Sequence, residues 1–240
     1  RSRWTTWLIS FCDEVVATNL ANAEVMPRDC KIVPHGVDTG RFTPHGGEKI
    51  LQKSKVVGCF GRIRKMKGTD LFVEALCRAL PQRKDWSAVV MGRVLPRDRA
   101  YYDDMIKKVE NAGLSDRIHF VNERPLDQMA DAYRELSIYV APSHLEGFGL
   151  TVAEALSSGV PAIATRGVGA FDELIDEGKN GVLFGCGDVD DLEAKICGMM
   201  DDDQHLGRMS KEARVSALDR MSLEVEARDL VEIYRRHLAT

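Results

Sequence analysis

Three things are missing from this sequence: long apolar runs, paired cysteines and a dominant charge. No uninterrupted apolar stretch reaches the roughly 18 residues that a membrane-crossing helix needs, so no segment of this sequence reads as one. The opening residues, Arg1 to Phe11, include basic side chains but no apolar core and no small-residue cleavage site, which is not the pattern of a signal peptide. The six cysteines include no C-x-x-C pair and no zinc-ligand spacing. Several lie in apolar runs, as Cys59 does in Val56–Phe60, so reduced and partly buried thiols of a cytoplasmic protein are expected, with no metal site. Lys and Arg number 33 against 37 Asp and Glu, for a net charge of −4, which gives no reason to expect a nucleic-acid partner. Internal repeats, low-complexity tracts, a G-x-G-x-x-G fingerprint and a Walker lysine are also missing.

What is present is an alternation. Short apolar runs at 55–60, 87–91, 118–121, 138–141, 161–164 and 181–184 are separated by stretches of helical period, such as Asp70–Leu76 and Tyr101–Ala112. Strands alternating with helices read as βαβ units of a parallel sheet, and the lack of polar alternation within the strands means that both sheet faces are covered. The expected fold is α/β, a doubly wound parallel six-stranded sheet spanning 49–220. The first residues do not fit as a leading unit of that sheet. They read as helix (4–11), strand (14–18), helix (19–25) and strand (31–33), the tail (1–35) of another Rossmann-like domain. A Pro/Gly-punctuated linker follows at 36–48, and an amphipathic helix closes the chain at 221–240.

In open parallel sheets ligands bind beyond the carboxyl ends of the strands, near the switch point. After the first strand of the main sheet comes Gly61-Arg62-Ile63-Arg64-Lys65-Met66-Lys67-Gly68. Gly61 lets a ligand approach the backbone, and Arg62 and Lys67 offer a fork of donors and a mobile charge suited to phosphate oxygens. Taken alone, this loop is equally a solvated basic turn. After the fourth strand comes Glu146-Gly147-Phe148-Gly149-Leu150-Thr151-Val152-Ala153-Glu154, with a helix opening near Gly149. Free amides and the helix dipole make that start an anion site. Glu146 and Glu154 can face one cleft, where a carboxylate accepts hydrogen bonds from vicinal hydroxyls of a sugar or ribose. A third glycine turn, Thr165–Ile175, follows the fifth strand and is either a further set of amides for a diphosphate or a structural turn.

These elements resemble the retaining family-four glycosyltransferases of the two-Rossmann-domain (GT-B) type. The resemblance rests on His35–Asp38, G-R-x4-K-G at 61–68, E-x7-E at 146–154 and the glycine turn running into an acidic stretch at 169–174, where Leu174 closes the motif and Ile175 follows. All occur in family order. Within the family, 68–73, 139–143 and 146–151 look like proteobacterial mannosyltransferases of lipopolysaccharide core synthesis. The resemblance implies the C-terminal donor-binding domain, with Arg62 and Lys67 on the donor diphosphate. Glu154 would then hold the ribose, and Glu146 the transferred sugar, assisted by amides of Gly147, Phe148, Gly149 and Leu150, with Thr151 beside them. Asn122 and Arg124, in the stretch 121–125, fall where relatives place the base. The expected substrate is a nucleotide-sugar, GDP-mannose, with no further cofactor, and the acceptor is a glycolipid or oligosaccharide bound by an N-terminal domain of which only the final units are expected here. Any peripheral membrane contact, at the inner face of the membrane, would also belong to that half.

Charge develops on the leaving phosphate oxygens when a nucleoside diphosphate departs, and preorganised cations and amides stabilise it without a metal. A glycosidase-like use of Glu146 and Glu154 leaves Arg62 and Lys67 without a role, and a dinucleotide-dependent oxidoreductase lacks its fingerprint. A sugar-nucleotide epimerase of the same architecture remains as an alternative, and so does a non-catalytic sugar-nucleotide-binding module; the chain as it stands is expected to be catalytically incomplete and to bind the donor without transfer.

Overall fold

The computed structural model describes residues 3–26, 28–44 and 55–238, so part of the expected linker (45–48) and the proposed domain start at residue 49 lie outside the described residues. Six parallel strands form the main sheet: β3 (Val56–Phe60), β4 (Ser87–Met91), β5 (Ile118–Val121), β6 (Ile138–Ala141), β7 (Ala162–Thr165) and β8 (Gly181–Phe184), in the order β5-β4-β3-β6-β7-β8. The chain starts in the middle, builds outward to β5, then returns to lay β6 on the other side of β3. That reversal is the switch point of a doubly wound sheet.

Both faces are buried because successive strand residues feed opposite cores. Val57, Cys59, Ile138 and Val140 join one apolar cluster, while Phe60, Tyr139 and Ala141 join the other. On the first face lie α3 (Thr69–Ala79), α4 (Arg99–Asn111) and α8 (Val189–Met200). Helix α3 turns Phe72, Val73, Leu76 and Ala79 inward at three- and four-residue spacing, and Phe72 is fully buried. Burial of Phe72, Val73 and Leu76 stabilises the fold by about 1.5–3 kcal/mol each. On the other face lie α5 (Met129–Arg134), α6 (Leu150–Ser157) and α9 (Asp203–Arg220). Gly58 sits mid-strand because a Cβ there would approach within 2.4 Å of Leu136.

The N-terminal segment forms α1 (Arg3–Ile9), β1 (Val16–Ala17), α2 (Leu20–Glu24) and β2 (Lys31–Ile32), with β1 and β2 paired in parallel as a separate two-stranded sheet. The described start of the expected linker is not loose. Val37 and Phe42 are buried, and Val37 exchanges backbone hydrogen bonds with the chain at Met221 and Leu223, where α10 (Leu223–Leu238) begins. Arg214 donates to the carbonyls of Thr39, Phe42 and Ser157 at 2.8–3.0 Å.

All six cysteines are free, but only Cys59 is fully buried, and burial pushes its thiol up to about 12. Among the described residues no helix is long and apolar enough to cross a membrane, and no group of three or more His, Cys, Asp or Glu could hold a metal ion.

Candidate functional site

The loops after β3 and β6 face each other across the switch point, and glycine geometry lets them meet. Gly68 has φ +63, and a Cβ on it would lie 1.9 Å from the carbonyl oxygen of Pro142. The backbones touch again where the His144 amide donates to the Met66 carbonyl at 3.0 Å. At the end of β3, Gly61 adopts φ +138 with open space where a side chain would stand. The crevice between these loops is lined by Gly61, Arg62, Lys67, Pro142, Ser143 and Thr151.

Lys67 and Glu146 form a direct ion pair across this crevice, their side chains 22% and 20% exposed. The second Glu146 oxygen accepts from the Gly147 amide at 3.2 Å. Arg62 is exposed and, among the described residues, has no hydrogen-bond or ion-pair partner. Helix α6 starts at Gly149, whose φ of +119 turns the chain and which supplies no side-chain cap. The amides of Phe148, Gly149, Leu150 and Thr151 donate to no atom of the described protein. The crevice and the start of α6, which borders it through Thr151, therefore bring together an unpartnered guanidinium, an ammonium with donors to spare and four free amides, a set of donors that an anion with several oxygens can satisfy.

Glu154 lies one turn into α6, on the wall formed with α5, and accepts a hydrogen bond from the Tyr133 hydroxyl at 2.7 Å. Burial raises the Glu154 pKa above the ordinary carboxylate value, while the Tyr133 hydrogen bond and the charge of Arg41 oppose the shift. Neither Tyr133 nor Arg41 was anticipated. Tyr133 reads in the sequence as an ordinary core position of an amphipathic helix, and its hydroxyl's partner lies 21 residues away.

Arg62, Lys67, Glu146, the run Gly147 to Thr151 and Glu154 thus gather at the switch point. Asn122 and Arg124 do not join them directly. They follow β5, the edge strand two places from β3, where Asn122 is exposed and Arg124 forms a two-pronged ion pair with Glu135 at 2.9 Å. Glu135 immediately follows α5, the helix that carries Tyr133, so this stretch borders the Glu154 wall rather than the phosphate-binding loops.

A contact from the N-terminal segment was also unforeseen. Asn19, fully buried, donates through Nδ2 to the Gly147 carbonyl at 2.8 Å. Thr18-Asn19 shows in the sequence only as a helix-start signal; its reach over 128 residues does not.

A family model described as glycosyl transferases group 1 matches residues 43–216. The chain belongs to this family. The lipopolysaccharide core biosynthesis mannosyltransferase LpsB of Rhizobium meliloti is 38% identical over 240 residues, covering 96% of this chain and 68% of LpsB. LpcC of Rhizobium leguminosarum, with the same descriptive name, is 41% identical over 199 residues, covering 80% of this chain and 56% of LpcC. Among solved structures, the C-terminal domain of a group 1 glycosyltransferase (LpcC) from Francisella tularensis is 33% identical with a TM-score of 0.72, covering 78% of this chain and all of that one. Anabaena HepE, solved in complex with UDP, shares the fold at a TM-score of 0.86 and 21% identity, over 97% of this chain and 66% of its own. The six-stranded sheet is therefore that of the GT-B C-terminal domain, and the switch-point crevice is the candidate site of a glycosyltransferase.

Proposed function

We propose that this glycosyltransferase chain binds a nucleotide-sugar donor, GDP-mannose, at the switch-point crevice and serves transfer of mannose, with retention, to a lipopolysaccharide-core or related glycolipid acceptor. The observation that carries the reading is the convergence of unpartnered Arg62, the Lys67–Glu146 pair and four free amides around one crevice. The diphosphate belongs at Arg62 and Lys67, where its oxygens meet cationic donors. As the bond from the anomeric carbon to the phosphate oxygen breaks, its electron pair stays on the diphosphate, and the same donors hold the charge that forms there. A metal ion is not needed for that step in this reading, because Arg62 and Lys67 already act on the leaving group.

Glu154 suits the ribose, since one carboxylate oxygen is held by Tyr133 and the other remains for vicinal hydroxyls. Glu146, paired with Lys67, belongs at the hexose. The stretch holding Asn122 and Arg124 is assigned to the base, chiefly through its backbone. Mannose as the sugar is supported by the names of LpsB and LpcC, whereas HepE was solved with UDP, which keeps a UDP-sugar as the second reading. Acceptor choice and any contact with the inner membrane face are assigned to the parts of the relatives that this chain does not match.

Saturation-transfer NMR with GDP-mannose and with UDP-glucose tests the donor. Signal transferred to both guanosine and mannose protons, and none to UDP-glucose, is expected. The reverse pattern contradicts the mannose assignment, and no transfer to either contradicts the donor site itself.

A further inference from the structure

Two contacts from the N-terminal segment fall on the loop that carries Glu146, and a third falls on the segment after β7 beside it. Asn19 Nδ2 donates to the Gly147 carbonyl at 2.8 Å. The Leu20 amide donates to Glu173 Oε1 at 3.0 Å. The His35 ring stands edge-on to Phe148, 5.4 Å between centroids, and His35 is itself anchored on Glu226 at 3.1 Å. Asn19 differs from the other two in that both ends of its amide are used. Its Oδ1 accepts from the Asn22 amide at 2.7 Å and so caps α2, while its Nδ2 crosses to the loop. A fully buried side chain with both functions satisfied has one orientation available, so the direction of the Gly147 carbonyl is fixed with it.

That direction matters because of what lies on the other edge of the same peptide. No described peptide bond is cis, so the carbonyl of Gly147 and the N–H of Phe148 point in opposite directions within one plane. The Phe148 N–H is one of the four amides that donate to no protein atom. On the Phe148 side the chain is held, since Phe148 is buried and its carbonyl accepts from the Ala170 amide at 2.8 Å, but on the Gly147 side little resists rotation of this peptide. Gly147 is exposed, and a Cβ placed on it would meet nothing within 4 Å. Among the described residues the Asn19 hydrogen bond is the one made by this peptide's own C=O and N–H groups, so its loss lets the plane tilt on the Gly147 side and takes the Phe148 amide off its aim.

We propose that Asn19 is a positioning residue for the donor sugar: by holding the Gly147 carbonyl it aims the Phe148 amide at the hexose of the bound nucleotide-sugar. The inference rests on the donor-site reading above, and specifically on Glu146 and its neighbouring amides serving the sugar while Arg62 and Lys67 serve the diphosphate. It makes sugar recognition depend on the N-terminal segment as well as on the main sheet.

The test compares Asn19→Asp and Asn19→Ser with the unaltered chain, using calorimetric titration with GDP, GDP-mannose, UDP and UDP-glucose. Both substitutions keep an oxygen that caps α2 and remove the Nδ2 donor; the Gly147 carbonyl loses its partner, so a lower thermal midpoint is expected with α2 retained, and two variants guard against one failing to fold. The sugar-nucleotide is expected to bind about tenfold more weakly, the effect of losing one well-aimed hydrogen bond, while the parent nucleoside diphosphate stays within about twofold. A purely structural role for Asn19 would weaken both ligands together, and that result overturns the proposal, as does unchanged binding of both. If the unaltered chain binds none of the four, the donor-site reading fails, and this inference with it. If it binds and the variants match it, only the role of Asn19 fails.

Discussion

Burial, opposed by Tyr133 and Arg41, shifts the ionisation of Glu154, and that gives the site a pH signature. Burial raises the Glu154 pKa, and the Tyr133 hydrogen bond holds it back. The deprotonated carboxylate is the form that accepts hydrogen bonds from ribose hydroxyls. Nucleotide affinity is therefore full above the raised pKa and falls as pH drops through it. Tyr133→Phe removes a contact that favours the charged form, so the midpoint of the fall moves to higher pH; Glu154→Gln abolishes the fall over that range. Titration with GDP across a pH series checks both, and a fall that persists in Glu154→Gln, or moves downward in Tyr133→Phe, contradicts the assignment. The Lys67–Glu146 pair constrains the site differently. Glu146→Gln should weaken sugar-nucleotide binding more than nucleoside diphosphate binding, because Lys67 keeps its charge for the phosphate; calorimetry with GDP and GDP-mannose separates the two. Of the charged groups in this site, Arg62, Lys67, Glu146 and Glu154 were singled out by their place in the loops after strands and by the family resemblance, since the spacings alone are equally those of solvated surface residues. Tyr133, Arg41 and Asn19 were not, because each reaches its partner through the fold and none belongs to a local pattern.

Among the elements, the two glycines of the phosphate-binding loop make a contrast. Gly68→Ala would force a side chain into the left-handed region and against the Pro142 carbonyl, where only 1.9 Å is available. Both the strain and the collision fall on backbone, so a loss of at least about 3 kcal/mol is expected, seen as a lower urea midpoint. Gly61→Ala meets nothing within 4 Å, and with φ +138 it should cost only the backbone strain, about 1–3 kcal/mol, while occupying space over the crevice and weakening nucleotide binding. Equal destabilisation by the two substitutions would contradict this account of the loops.

Strand positions were legible almost throughout, since a strand buried on both faces shows as an unbroken apolar run. The exceptions have local causes. The fifth strand of the main sheet, expected at 161–164, runs Ala162–Thr165: Pro161 has no N–H for the ladder, and Thr165 stays in it because Arg166 donates to the Phe184 carbonyl at 2.8 Å. The first helix, expected to reach Phe11, ends at Ile9, where the Ser10 hydroxyl turns back to the Trp7 carbonyl at 2.6 Å.

At the scale of the molecule, the described part of the stretch read as a linker, residues 36–44, is part of the packing. Phe42 is 4% exposed and stands edge-on to Tyr133 at 5.8 Å, while the Ser157 hydroxyl donates to its carbonyl at 2.6 Å. Phe42→Ala should cost about 3–5 kcal/mol in thermal or urea unfolding, and a neutral result would return residues 36–44 to the status of a tether. The proline and glycines of this stretch suggested a linker, and they obscured a single buried aromatic. Its consequence is functional, because Phe42 packs on the helix whose Tyr133 holds Glu154.

The central claim is that the switch-point crevice is a nucleotide-diphosphate site built on Arg62 and Lys67. Calorimetric titration of the chain with GDP, UDP and ADP, repeated on the Arg62→Ala/Lys67→Ala double variant, tests it most directly. The account predicts clear binding of GDP, weaker or no binding of the other two, and loss in the double variant by at least about 1.5–3 kcal/mol, the range for a charge-assisted contact. Binding that survives in the double variant, or no binding of any nucleotide by the unaltered chain, would contradict it.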